Sequence, residues 1–127
     1  MYNQKIIEVF NNPSYVGILH GHNAQGTATS EVTGEIVRIY LLIENDKIKE
    51  AKFKAFGGVS CIALSSLACE IVLNKNINDI EKISKQDFVK KIGELPENGA
   101  LVINQIKQAL EFAVIDYHKK LEKEKNK

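Results

Sequence analysis

The sequence of 127 residues contains only two cysteines, Cys61 and Cys69. Two cysteines are too few for a disulfide framework or for a metal site built from four cysteines. An excess of one charge is missing too, because 17 basic and 16 acidic residues leave a formal net charge of +1. Proteins that bind nucleic acid by neutralising phosphates carry a clear basic excess, so we expect no nucleic-acid partner.

Long apolar runs are also absent. No stretch of the sequence approaches the roughly 18 apolar residues of a membrane span. Residues 1–20 lack the basic-then-apolar order of a signal peptide. We therefore expect no membrane partner and a cytoplasmic location. The length and the 44% hydrophobic content fit one globular domain that folds without covalent cross-links.

The order of the patterned segments predicts an α+β domain, in which helices pack on one face of a small antiparallel sheet. The sheet consists of a hairpin over residues 36–56 and an edge strand from the polar loop 17–35. The single domain spans residues 1–118, and residues 119–127 form a charged helical tail.

Helices are predicted on both sides of the hairpin. They cover residues 3–11, a buried segment at 61–73, two short helices within 77–93, and a long amphipathic helix from Ala100. Ser60 is the predicted N-cap of the buried helix, and Ser84 is the predicted N-cap of the second short helix.

A set of residues spread along the chain follows the order and the nearly gapless spacing of a known family. They are Met1 to Ile7, Phe10 to Pro13, Val16, Gly17, Ile48, Ala51, Phe53, Gly57, Ser60, Ile62, Ala63, Ser65, Ser66, Leu67, Glu70, Leu95, Pro96, Ala109, Ala113, Asp116 and Tyr117. Over residues 1–118 the chain resembles the NifU N-terminal/IscU family of iron–sulfur cluster assembly scaffolds. The resemblance implies the IscU/NifU-like fold.

The resemblance also implies where a ligand site would lie. The family holds an iron–sulfur cluster, iron or zinc with three cysteines, assisted by an aspartate and a histidine. In this sequence the cysteine positions correspond to Thr33, Gly58 and Val102, and the two helper positions correspond to Glu35 and Leu101. Clusters need thiolate donors, and of the five groups only the carboxylate of Glu35 keeps its chemistry. We therefore expect that the ligand function is lost and that no cofactor is bound.

The family's chaperone-recognition stretch, Leu-Pro-Pro-Val-Lys, keeps only Leu95 and Pro96 here. The expected function is that of a degenerate scaffold, not an enzyme. Its expected partner is a cysteine desulfurase or another scaffold subunit, and it could form homo-oligomers. The alternative is a protein–protein interaction module outside the pathway, which would use a vacated and apolar pocket at Gly58, Leu101 and Val102.

A third hypothesis is a zinc-binding protein that uses His20, His22, Glu35 and Cys61. Cys61 lies in the first turn of the buried helix, where free amides and the helix dipole lower the pKa of a thiol. The competing interpretation is that Cys61 packs in the core and that both histidines lie exposed in a loop. Cys69 is two helical turns away from Cys61, about 12 Å along the axis, so the two cannot share a metal.

Overall fold

The computed structural model of the protein describes residues 2–126. Its elements are, in chain order, α1 (Gln4–Asn11), β1 (Ala24–Thr29), β2 (Ile36–Glu44), β3 (Lys47–Phe56), α2 (Val59–Val72), a 3₁₀ helix (Ile77–Lys82), α3 (Lys85–Ile92) and α4 (Gly99–Lys125). The strands form one antiparallel sheet in the order β1-β2-β3. The predicted α+β class, the hairpin and the edge strand are confirmed.

One face of the sheet is buried, and the other is open at the end that carries Ile36 and Arg38, whereas Tyr40 farther along β2 is buried on that second face. Along β2 the side chains of Val37, Ile39 and Leu41 are buried, whereas those of Ile36 and Arg38 are exposed. Helices α2 and α4 pack on the buried face, α2 mainly against β3 and α4 mainly against β1. The period of two in a strand explains the alternation, and the helices lie on one face as predicted.

Helix α4 lies unusually close to the edge strand β1. A Cβ atom at Gly26 would lie only 2.1 Å from the carbonyl oxygen of Ala109 and 2.5 Å from the amide nitrogen of Ala113. The backbone amide of Gln25 donates a hydrogen bond of 2.9 Å to Oδ2 of Asp116. Glycine therefore permits the close approach, and this contact fixes α4 along the sheet edge.

The start of α2 differs from the prediction. The helix begins at Val59 with Gly58 as its N-cap, so the prediction of Ser60 as the N-cap is wrong. The reason is that the chain leaves β3 through two glycines and turns directly into the helix, which places Ser60 in the first turn.

The predicted cap of α3 is confirmed, because Oδ2 of Asp87 accepts a hydrogen bond from the amide of Ser84.

Helix α4 is 27 residues long and begins at Gly99, one residue before the predicted start. The helix continues to Lys125, so the predicted tail is helical up to that residue. Residue 127, the last residue of the predicted tail, lies outside the described part of the chain. Within residues 2–126, no helix combines the length and the apolar character that crossing a membrane requires.

Adding a single methyl group at Gly26 tests the contact between α4 and β1. We expect Gly26→Ala to lower the free energy of unfolding by about 3 kcal/mol, because the clashing atoms belong to the helix backbone and cannot move aside alone. Urea denaturation followed by circular dichroism measures the change. Thr29→Ala, an exposed position on the same strand, is the control, and its effect should stay below about 0.5 kcal/mol. An unchanged denaturation midpoint in Gly26→Ala would contradict this packing.

Candidate functional site

Three chain segments that are distant in sequence meet around one cleft of about 550 Å³. They are the loop between β1 and β2, the N-terminus of α2, and the first turns of α4. All five positions singled out by the resemblance line this cleft: Thr33, Glu35, Gly58, Leu101 and Val102. The structure thus brings together the residues that the sequence placed in one site.

The cleft is not the apolar pocket that was predicted. Val102 is buried, with 4% of its surface exposed, but Leu101 stands at the rim and is 56% exposed. Consecutive residues of a helix point about 100° apart, so these two side chains cannot both face inward. Polar side chains make up most of the lining: Thr29, Ser30, Thr33, Glu35, Ser60, Glu97, Asn98, Asn104, Gln105, Lys107, Gln108 and Glu111.

Glu35 connects the β1–β2 loop to helix α2. Its Oε2 atom accepts a hydrogen bond of 2.8 Å from the amide of Gly58, the N-cap residue of α2. Its Oε1 atom accepts a hydrogen bond of 3.2 Å from Oγ1 of Thr33, and Oγ1 of Thr33 accepts one from the amide of Glu35. The first turn of α2 contains no acidic residue. Glu35 therefore supplies the negative charge that the helix N-terminus favours.

Gln105 connects the same loop to helix α4. Its Nε2 atom donates hydrogen bonds of 3.0 Å to the carbonyl oxygen of Ala28 and 2.9 Å to that of Glu35. Gln105 is buried, and both protons of its amide group are used. Together, Glu35 and Gln105 join the three segments that carry Thr33, Gly58 and Val102.

Cys61 lies behind the glycine turn. A Cβ atom at Gly57 would lie 2.7 Å from Sγ of Cys61 and 2.6 Å from Oε2 of Glu35, so only glycine fits there. Burial, and secondarily the carboxylate of Glu35, raise the pKa of the Cys61 thiol to about 11. This is opposite to the lowering that its position in the first turn of the helix suggested. The thiol is therefore protonated at neutral pH and packs as a core residue.

The other candidate metal ligands lie elsewhere. His22 precedes β1, while Glu35 follows its far end, and a strand of that length separates them by about 20 Å. Nδ1 of His22 lies 2.9 Å from the carbonyl oxygen of Leu19, and His20 is exposed in the same loop. Residues 2–126 contain no group of three or more histidine, cysteine, aspartate or glutamate side chains placed to hold a metal ion. The proposed set of His20, His22, Glu35 and Cys61 is not assembled.

Cys69 is buried farther along α2, and burial raises the pKa of its thiol to about 12. The structure agrees with a packing role for this residue.

The sequence model described as the NifU-like N terminal domain matches residues 1–124 of this chain. The chain belongs to this family. Iron sulfur cluster assembly protein 1 of Trachipleistophora hominis is 37% identical over 123 residues, which cover 94% of this chain and 88% of that protein. The iron–sulfur cluster assembly scaffold protein IscU 1 of Archaeoglobus fulgidus is 32% identical over 120 residues, which cover 94% of this chain and 78% of that protein.

A solved structure supports the same fold. The N-terminal NifU-like protein from Brucella abortus superposes with a TM-score of 0.73 at 15% sequence identity, covering 93% of this chain and 94% of that chain. The IscU/NifU-like fold expected from the sequence is thus confirmed, and the cleft lies in a domain of the NifU-like family.

Among the polar residues of the cleft that the sequence did not assign to the site, Gln105 and Ser60 are the buried ones in the described part of the chain. Gln105 falls three residues after Val102, in the buried stripe of a helix that is otherwise apolar at such positions, and this irregularity was visible in the sequence. Ser60 is also buried, and its Oγ atom has no hydrogen-bond partner in the described part of the chain. No local pattern distinguished Ser60 from a helix cap.

The hydrogen bonds of Glu35 should contribute measurably to stability. We expect Glu35→Ala to lower the free energy of unfolding by about 1–2 kcal/mol, because it removes a charged acceptor from a helix N-terminus. Glu35→Gln should lose about half as much, since the amide oxygen still accepts the bond from Gly58. Urea denaturation measures both variants.

The control for this test is Glu31→Ala, which removes an exposed carboxylate from the same loop. Equal effects of Glu35→Ala and Glu31→Ala would contradict the cross-linking role of Glu35.

Hydrogen bonds of Glu35 and Gln105 join the segments around the cleft, and we expect no metal there. A chelator should therefore leave the melting temperature of the wild type unchanged, and a large drop would argue against it.

Proposed function

We propose that this protein is an iron–sulfur cluster assembly scaffold of the IscU/NifU type that has lost the usual cluster ligands and acts by binding a partner protein. The observation that carries the proposal is the convergence of Thr33, Gly58 and Val102 on one cleft that contains no thiolate. The names of the relatives, which include cluster assembly scaffolds, support the pathway. The role is that of a binding subunit without catalysis of its own.

The residues of the cleft do not fit a cluster. Iron–sulfur clusters require thiolate ligands, and the side chains of threonine, glycine and valine provide none. The carboxylate of Glu35 is occupied by the amide of Gly58 and the hydroxyl of Thr33. Cys61 has no exposed surface, and its high pKa keeps it protonated. The proposed role therefore involves no step on a bound cluster.

The surface around the cleft supports partner binding. Among the large apolar side chains of residues 2–126, the three most exposed are Val32 at 82%, Phe56 at 76% and Leu101 at 56%. Val32 and Leu101 line the cleft, and Phe56 directly precedes the turn that enters it. Exposed apolar side chains grouped at one end of a domain mark a protein interaction site. We propose a cysteine desulfurase as the protein that docks there.

Restoring the ligands tests the loss of cluster binding. After anaerobic incubation with iron and sulfide and removal of excess reagents, we expect no sulfur-to-iron charge-transfer absorption from the wild type. Thr33→Cys/Gly58→Cys/Val102→Cys should gain this absorption. The geometry permits the change, because a Cβ at Gly58 meets its nearest atom, Oε2 of Glu35, at 3.8 Å.

The same triple replacement by serine is the matched control, because it changes the same positions without adding thiolates. A stable cluster in the wild type would refute the proposed loss of ligands. A folded triple-cysteine variant that binds no cluster would refute the assignment of the three positions.

Partner binding is tested at the rim of the cleft. We expect Val32→Asp/Leu101→Asp to reduce co-purification with the cysteine desulfurase of the same genome by at least about tenfold, because it places charge within an apolar contact. Ile115→Asp is the control, since Ile115 is similarly exposed on α4 but about 21 Å along the helix from Leu101. If the wild type does not bind the desulfurase at high concentration, the interaction module outside the pathway becomes the better account.

A further inference from the structure

The open face of the sheet presents cross-strand pairs in successive rows. Ile36 of β2 lies opposite Phe56 of β3, Arg38 lies opposite Lys54, and Tyr40 lies opposite Lys52. Directly opposed residues of neighbouring strands project from the same face. Both members of the first two rows are exposed, so neither α2 nor α4 covers them.

The row formed by Arg38 and Lys54 brings two positive charges directly opposite each other. Like charges in this arrangement repel, and a third cation, Lys52, follows in the next row. The ion pairs found within residues 2–126 involve Lys82, Lys91 and Lys120, not these three cations. Nε of Arg38 donates a hydrogen bond of 2.9 Å to Oγ1 of Thr27, which holds the guanidinium group over the face without neutralising it.

The cationic row is close to the partner surface proposed above. Ile36 directly follows Glu35, and Phe56 directly precedes the turn at Gly57 and Gly58, so the apolar row adjoins residues that line the cleft. The row of Arg38 and Lys54 is two residues farther along the strands, a distance of about 7 Å. A stable protein interface covers about 800 Å² of each partner, which is enough to reach from the rim of the cleft to these charges.

The occupant that fits both rows is an acidic protein surface. Ile36 and Phe56 offer an apolar contact, and next to it Arg38 and Lys54 offer two positive charges without carboxylate partners. Complementary charges of this kind guide the encounter of two proteins and fix their orientation. A nucleic acid would match only the positive charges of Arg38 and Lys54 and not the apolar row. The net charge of +1 does not favour a nucleic-acid partner either.

We infer that the protein which docks at the cleft also contacts the open face of the sheet, where it presents carboxylate groups to Arg38 and Lys54. This inference rests on the proposed function and adds to it the chemistry of the partner. Arg38 and Lys54 are then recognition residues. Their mutual repulsion in the free protein is offset by the partner's carboxylate groups in the complex.

The test measures the association rate of the wild type and of Arg38→Glu/Lys54→Glu with the cysteine desulfurase of the same genome, over a range of salt concentrations. We expect the reversal to slow association by about tenfold or more at low salt and to remove most of the salt dependence. Arg38→Gln/Lys54→Gln should reduce the association rate by a smaller factor. This variant removes both positive charges without placing two negative charges opposite each other on the sheet.

Lys119→Glu/Lys123→Glu is the matched control, because it changes the net charge by the same amount. These exposed residues of α4 begin about 27 Å along the helix from Leu101. If the wild type binds and both sheet variants bind with unchanged rates and salt dependence, the inference is overturned and the proposed function stands. If the wild type does not bind the desulfurase, both are overturned.

Discussion

The hydrogen bond between the carboxylate of Glu35 and the amide of Gly58 determines how the cleft end of this protein is held together. It joins a loop to the N-terminus of α2, and Gln105 joins the same loop to α4. Such bonds contribute about 1–3 kcal/mol each, whereas a structural metal can contribute about 10 kcal/mol or more. The fold does not need the stabilisation that a metal would add, because α4 also packs on β1 through Gly26, independently of the cleft.

The parts of the fold that depend on local patterns were predictable. The hairpin follows from alternation and a short turn, and α4 follows from apolar residues spaced three and four apart. The site was harder to predict from the sequence, because the hydrogen bond between Glu35 and Gly58 joins residues 23 positions apart. The prediction of Ser60 as a cap is wrong because serine favours that position in general, while here the glycine turn determines where the helix begins. The prediction of an apolar pocket is wrong because polar side chains from the β1–β2 loop and from α4 make up most of the lining around Leu101 and Val102.

The cleft has no cysteine in its lining, yet it has not become part of the core. A pocket that no longer serves a ligand can close when apolar side chains fill it, and Val102 is buried in this way. Thr33, Asn104 and Gln108 also line the cleft and are exposed, and burying them would cost hydrogen bonds to water. Polar groups therefore keep the cleft open, and the loop with Val32 stays at its rim.

The distribution of polarity at this end of the protein is the reverse of a common interface. Protein interfaces usually have an apolar centre and a polar rim. Here polar side chains make up most of the cleft lining, and the apolar side chains of Val32 and Leu101 stand at its rim. A partner that contacts the rim therefore encloses the cleft without having to fill it. Affinity then comes from the rim, and the cleft costs little on binding because its polar groups can keep their water. The proposed loss of the cluster ligands is in this way compatible with the proposed binding of a partner at the rim.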